Sequence, residues 1–318
     1  MTATAVRSKS LDSAKFRDPN VTAKGEQRAG VALRALKTLW FNTGTLCNLT
    51  CRNCYIESSP ANDRLSYLTA AEAREYLDEI ARDGLPTEEI GFTGGEPFMN
   101  PDLPEMLGDA LSRGFRVLIL TNAMKPMMKC AEALLASLGR FGDRMTIRVS
   151  VDHYAEALHQ IERGARSWKP TMEGLDWLVR HGFTVRIAGR TSWNEDEASL
   201  RRGYARLFAE RGVALDAHDP SHLVLFPEMD AEADVPEITS ACCSILKRSP
   251  DAMMCASSRM VVKRKGAERP AVAACTLLPY DPQFELGATL ADAAREVKLN
   301  HPHCARFCVL GGASCSAG

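Results

Sequence analysis

Residues 89–113 read Glu-Ile-Gly-Phe-Thr-Gly-Gly-Glu-Pro-Phe-Met-Asn-Pro-Asp-Leu-Pro-Glu-Met-Leu-Gly-Asp-Ala-Leu-Ser-Arg. Glu89–Thr93 is a short apolar strand that runs into Gly94-Gly95. Pro101–Arg113 then sets Leu103, Met106, Leu107, Ala110 and Leu111 at helical spacing. Strand, glycine turn and helix form the unit from which parallel sheets with helical crossovers are built. The unit recurs on both sides. Upstream, Leu39–Leu46 reads as a strand, and Leu68 opens a helix with Thr69 as N-cap, Glu72 three residues on, and Leu77 and Ile80 on one face. Downstream, strands at Phe115–Leu120, Met145–Val151, Thr184–Ala188 and Leu223–Phe226 alternate with helices at Met127–Leu138, Glu173–His181 and Asp196–Arg211. Six strands in this order predict an α/β fold, a partial (β/α)6 barrel of the TIM type, which suits the 318-residue length better than eight units.

After about Glu228 the alternation stops and cysteines become dense. Met260–Lys263 and Ala271–Ala274 are expected to pair as a hairpin around Lys265-Gly266, and Leu290–Val297 to form a short helix. The expected organisation is residues 1–36 as a flexible arm or short cover, 37–235 as the barrel, and 236–318 as a small cysteine-rich domain. The chain is 45% hydrophobic with a formal net charge of -1, so charge gives no reason to expect nucleic acid or an acidic membrane as partner. Met1–Val31 has no apolar signal core and no run reaches membrane-spanning length. A cytoplasmic setting is expected, where eleven cysteines read as metal ligands or buried thiols rather than disulfides.

The decisive cluster is Cys47-Asn-Leu-Thr-Cys51-Arg-Asn-Cys54-Tyr55. Thiolates spaced C-x3-C-x2-C can hold three corners of a cubane and leave the fourth iron open, as a catalytic site requires. Zinc would want a fourth ligand nearby, and no cysteine follows before Cys130. About 40 residues on, Gly94-Gly95-Glu96-Pro97 ends a strand, where a parallel barrel builds its active face. Glycines there allow close backbone approach, and Glu96 is a candidate acceptor for a ligand amine.

Together these motifs resemble the radical S-adenosylmethionine (SAM) superfamily, whose pattern is C-x3-C-x2-C with an aromatic neighbour followed by GGEP. The resemblance covers roughly residues 38–228. It implies a 4Fe–4S cluster on Cys47, Cys51 and Cys54, SAM bound at the open iron, and an external electron donor such as flavodoxin or ferredoxin. Reductive cleavage would yield a 5′-deoxyadenosyl radical that abstracts a substrate hydrogen. By the same resemblance Tyr55 lies near the adenine, and Gly94, Gly95, Glu96 and Pro97 hold the methionine part. Thr121 and Asn122 face the site. Ser150 and Asp152 contact the ribose and methionine, and Arg186, Arg190 and Thr191 are candidates for the cosubstrate carboxylate.

Seven cysteines follow residue 240. They resemble the auxiliary-cluster appendages of the same superfamily, the twitch and SPASM domains, although the usual C-terminal C-x2-C is here Cys304-Ala-Arg-Phe-Cys308. The resemblance implies a second 4Fe–4S cluster on Cys255, Cys275, Cys304 and Cys308, with Cys315 able to replace either of the last two. Structural zinc remains an alternative, because a tetrathiolate site suits it equally well. Cys242 and Cys243 either support another cluster or pack as thiols. The segment before Lys37 is short for a peptide-binding domain, which points to a small metabolite such as a sugar, aminocyclitol or amino-acid-like molecule. The alternative is a maturase of a ribosomally made peptide. A non-catalytic electron-transfer protein is a third reading, and the open-site motif argues against it.

Overall fold

The computed structural model describes residues 10–311. The strand β1 (Gly30–Val31) pairs antiparallel with Val297–Lys298 near the other end of the chain. Just ahead of it Arg28 is buried, with its guanidinium on Glu237 and on the carbonyls of Asp18 and Val21. Over its described residues the segment before Lys37 is therefore a cover rather than a loose arm.

Six parallel strands then follow in sequential order: β2 (Thr38–Asn42), β3 (Glu89–Thr93), β4 (Arg116–Thr121), β5 (Met145–Ser150), β6 (Thr184–Arg190) and β7 (Leu223–Phe226). The crossovers contain α1 (Ala70–Asp83), α2 (Leu103–Ser112), α3 (Lys125–Lys129), α4 (Ala131–Phe141), α5 (Glu156–Arg163), α6 (Trp168–Arg180) and α7 (Glu197–Arg211). This is the expected partial β/α barrel. Helix α1 opens with the Thr69–Glu72 capping box and closes on Gly84, whose φ of 60° only glycine adopts freely. The first strand stops at Asn42, earlier than expected, because the chain turns at Thr43 to run over the end of β3. The helix expected over Met127–Leu138 is broken at Cys130 into α3 and α4. Helix α5 went unread: Ala157, Leu158 and Ile161 share one face, but Ile161 is exposed and the buried side chains are His159 and Glu162, so the apolar spacing marks the wrong side.

The cysteine-rich part continues the barrel sheet. β8 (Ser258–Val262) lies parallel to β2, and β9 (Ala271–Ala273) and β10 (Glu285–Gly287) follow antiparallel. The hairpin across Lys265-Gly266 is as expected, and its first strand is built onto the barrel. No helix forms over Leu290–Val297. Thr289 and Asp292 close a turn on each other's backbone, Glu79 takes the amides of Leu290 and Ala291, and the segment finishes in β11 (Val297–Lys298).

Strand β3 packs through an absence of side chain. Gly91 sits under Trp40, which is fully buried, and a Cβ there would fall 2.3 Å from Trp40 Cε3. Because β3 leads directly into Gly94-Gly95, its seating fixes the site. We expect Gly91→Ala to cost about 1–3 kcal/mol through overpacking. The measurement is a lowered urea midpoint with an unchanged m-value. An unchanged midpoint would show that Trp40 can move aside.

Candidate active site

The strand ends meet the cysteine loop through backbone. The N–H of Thr43 donates to Thr93 O, that of Gly95 to Gly44 O at 2.8 Å, and that of Glu96 to Leu46 O at 3.2 Å. A Cβ on Gly94 would fall 2.5 Å from Gly44 O, and one on Gly95 2.2 Å from Leu46 O. Gly94 also has φ 140°. The two glycines are therefore required first by this backbone stitch, which sets Cys47 at the mouth of the sheet.

Beyond the stitch opens a cleft of about 830 Å³, solvent at its mouth included. Cys47, Cys51 and Cys54 line one side, with Tyr55. Gly94, Gly95, Thr121, Asn122, Ser150, Asp152 and Arg190 also line it. Four expected residues lie elsewhere. Glu96 is buried and turned inward, accepting from Thr121 Oγ1 at 2.8 Å, Asn122 N–H at 2.9 Å and Phe98 N–H at 3.3 Å. It pins the end of β4 to the cysteine-loop side. Pro97 starts the buried turn that follows. Arg186 lies nearer the start of its strand and donates to Ser221 Oγ at 3.1 Å. Thr191 passes just outside the cleft, its N–H on Phe226 O.

Three further residues were missed. Arg148 lines the cleft two residues before Ser150, on the same face of β5, so strand alternation would have found it. Arg163 and Glu162 come from α5, whose apolar residues do not mark its buried side. Arg163 Nε lies 2.7 Å from Asp152 Oδ2, and Arg190 Nε 3.5 Å from Asp152 Oδ1. Burial pushes the Asp152 carboxyl up, but Arg163 and Arg190 push it down further, so it stays below the usual carboxylate range. Glu162 clamps the cysteine loop: its carboxylate accepts from Asn53 N–H and Asn53 Nδ2, both at 2.9 Å, and its carbonyl from Arg52 N–H at 2.8 Å. From the other side Asn122 Nδ2 donates to Asn48 Oδ1 at 2.9 Å.

The donor set suits an anionic iron–sulfur group. Three thiols face Arg148, Arg163 and Arg190 across the cleft, with Asp152 as the one carboxylate among its lining residues. Leu49 N–H donates to Cys47 Sγ at 3.4 Å and Ser58 N–H to Cys54 Sγ at 3.3 Å, contacts that favour thiolate. Burial pushes the Cys47 thiol up to about 12 and raises that of Cys51, so loading metal must displace their protons. In the C-terminal part, Cys255 and Cys304 are buried and Cys275 follows β9, the strand paired with β8; burial and the neighbouring thiols Cys275, Cys308 and Cys255 push the Cys304 thiol up. Among the described residues, no three His, Cys, Asp or Glu side chains close on a single-ion site. Cys242 Sγ instead meets Thr239 N and Oγ1 at 3.3 Å. Cys315 lies outside the described residues.

The sequence model of the radical SAM superfamily matches residues 41–201. The chain belongs to that superfamily. It is accordingly an enzyme, and its cofactors are those of the superfamily, a 4Fe–4S cluster and SAM. It is 28% identical over 169 residues to the antilisterial bacteriocin subtilosin biosynthesis protein AlbA of Bacillus subtilis, covering 53% of this chain and 35% of that protein. It is 30% identical over 145 residues to the AdoMet-dependent heme synthase of Methanosarcina barkeri, covering 44% and 38%. The alignments thus span little more than a third of these relatives' own length. Among solved structures, Streptococcus suis SuiB bound to S-adenosylmethionine superposes with a TM-score of 0.58 over 80% of this chain and 64% of that one, at 14% identity, a likeness of fold. Among the described residues, no helix is long and apolar enough to cross a membrane.

Two outcomes follow from the geometry. Glu162→Ala should weaken iron retention at the cysteine loop by about 10–100-fold, the usual effect of losing a group that orients metal ligands. Iron transfer to a chelator measures it, and wild-type retention would show that the clamp is dispensable. Burial holds Glu96 protonated up to about 7 despite its three donors, against 4.5 for a free side chain. The native state then keeps a proton that the unfolded chain releases, so stability falls as pH rises through that window. In metal-free protein, urea midpoints at about pH 5 and about pH 8 should show this decline in the wild type and a smaller one in Glu96→Gln. Equal declines would place the Glu96 carboxyl at an ordinary pKa.

Proposed function

We propose that this radical SAM enzyme matures a peptide, abstracting hydrogen from a residue presented at the barrel mouth. The observation that carries the reading is the likeness, over half of the chain, to the subtilosin biosynthesis protein. It favours a peptide over the small metabolite expected from the sequence, which rested on the length of the segment before Lys37. A separate chain can hold a peptide as well as a fused domain can.

In this reading Cys47, Cys51 and Cys54 hold the 4Fe–4S cluster. When bound, the cluster and SAM supply reductive cleavage of the cosubstrate and a carbon radical able to abstract hydrogen. Gly94 and Gly95 let the methionine part approach backbone, and Ser150 and Asp152 offer polar contacts to it. Arg148 and Arg190 receive its carboxylate, with Asp152 kept ionised by Arg163 and Arg190. Tyr55, Leu120, Ala188 and Phe226 wall the cleft with apolar surface and keep water from the reacting carbon. Cys255, Cys275, Cys304 and Cys308 hold an auxiliary 4Fe–4S cluster. An external carrier such as flavodoxin or ferredoxin supplies the electrons, and the reduced thiols suit the cytoplasm.

The second reading is oxidation of a tetrapyrrole, favoured by the 30% identity to a heme synthase. The test uses anaerobically reconstituted, dithionite-reduced protein with SAM. It is given either the synthetic product of a short open reading frame beside its gene or an iron tetrapyrrole. Peptide maturation predicts 5′-deoxyadenosine formation with a mass change in the peptide alone. Conversion of the tetrapyrrole with the peptide unaltered would overturn it. Cys47→Ala, Cys51→Ala and Cys54→Ala should each abolish 5′-deoxyadenosine while the circular dichroism of the barrel is unchanged. Cleavage at the wild-type rate in any of them would remove that cysteine from the ligand set.

A further inference from the structure

Arg259 is the second residue of β8 and is 1% exposed. Its guanidinium is bonded entirely to carbonyls: Nη1 to Cys255 O at 2.6 Å and Ser258 O at 2.7 Å, Nε to Ala293 O at 2.9 Å, and Nη2 to Arg295 O at 3.1 Å. Among the described residues no carboxylate lies within 4.0 Å of it. Carbonyl dipoles satisfy its donors but carry no net charge. A buried cation without an anion is strongly unfavourable, and natural structures pair such groups.

The ionisable groups that bear on this guanidinium are the thiols of Cys255 and Cys275. Both are among the four cysteines assigned above to the auxiliary cluster, and the guanidinium itself touches the backbone of Cys255. The contrast with Arg28 is informative: Arg28 is equally buried, but Glu237 neutralises it. A cubane held by four thiolates is doubly anionic when oxidised and triply anionic when reduced. It would provide the missing counter-charge at the place where Arg259 is held. A tetrathiolate zinc would be doubly anionic as well, but its charge would not change with reduction.

We propose that Arg259 is the fixed counter-cation of the cluster on Cys255, Cys275, Cys304 and Cys308, and that it raises that cluster's reduction potential. The proposal rests on the auxiliary-cluster reading above. Reduction adds one electron and one negative charge. A fixed cation stabilises the reduced form more than the oxidised one, which suits the cluster to accept an electron leaving the substrate. The carbonyls of Ala293 and Arg295 and the strand β8 hold the guanidinium in place, so the charge cannot relax toward solvent when the cluster is oxidised.

The test uses the full chain carrying Cys47→Ala, Cys51→Ala and Cys54→Ala, so that iron bound after reconstitution reports the C-terminal site alone. About four irons per chain are expected. Zinc or no metal would sink the auxiliary-cluster reading, and that is seen before any Arg259 variant is made. In an electron-paramagnetic-resonance titration with dithionite and mediators, Arg259→Gln should make reduction at least tenfold less favourable, about 59 mV lower for a one-electron couple. Arg259→Lys, which keeps the charge, should stay within that interval of the parent. An unchanged potential in a loaded Arg259→Gln chain would overturn the proposal, as would a fall in Arg259→Lys as large as in Arg259→Gln. If Arg259→Gln does not fold, Arg259→Lys decides alone: retention of the parent potential supports the charge, and its loss refutes it.

Discussion

The contact on which this molecule depends is between two stretches of backbone. Gly94 and Gly95 lie so close to the carbonyls of Gly44 and Leu46 that neither position has room for a methyl group. The contact ties the C-terminal end of β3 to the turn after β2 and delivers the chain to Cys47 in one orientation. A loop of nine residues with three cysteines has little structure of its own to resist rearrangement. Its shape is imposed from beneath by the glycine stitch, from one flank by Glu162 on α5, and from the other by Asn122 at the end of β4. Positioning donors before a metal arrives removes part of the ordering cost of binding it.

The buried charges divide into two kinds. In the barrel mouth, Asp152, Arg163, Arg190 and Glu162 form a compensated network in which each charge faces an opposite one. Such a network is stiff, because moving any member exposes another to a medium that solvates it poorly. The lining as a whole carries more guanidinium than carboxylate, which suits an anionic cluster and a carboxylate-bearing cosubstrate. Arg259 is of the second kind, a cation solvated by carbonyls and set against thiols. Low polarity makes both arrangements consequential: fixed charge is screened least where solvent is absent.

Much of the barrel was legible because its signals are local. Strands of β-branched and aromatic residues, the Thr69–Glu72 capping box and glycine stops act within a few residues of where they stand. What escaped had a non-local cause. Helix α5 buries His159 and Glu162 while Ile161 of its apolar face is exposed, so hydrophobic spacing could not show which side it packs. The residues 290–297 look helical in isolation, yet Arg259, far away in sequence, takes the Ala293 carbonyl that a helix would use. Glu96 looks like a ligand contact by position, but three donors from its own chain turn it inward. Arg186 and Arg190 share one face of β6, and only the depth of the cleft separates the one that lines it from the one that does not.

By itself the sequence determined the class of chemistry, because three thiols at C-x3-C-x2-C spacing and a strand ending in two glycines are constraints that each segment carries alone. It also determined the alternation of strands and helices, whose periodicity is a property of a single segment. Only the tertiary structure decided which charges surround those thiols, that the cysteine-rich part extends the barrel sheet through β8, and that Cys255 lies against a buried arginine. The reason is physical. Charge compensation and burial depend on distances between residues far apart along the chain, and those distances exist only once the sheet has formed.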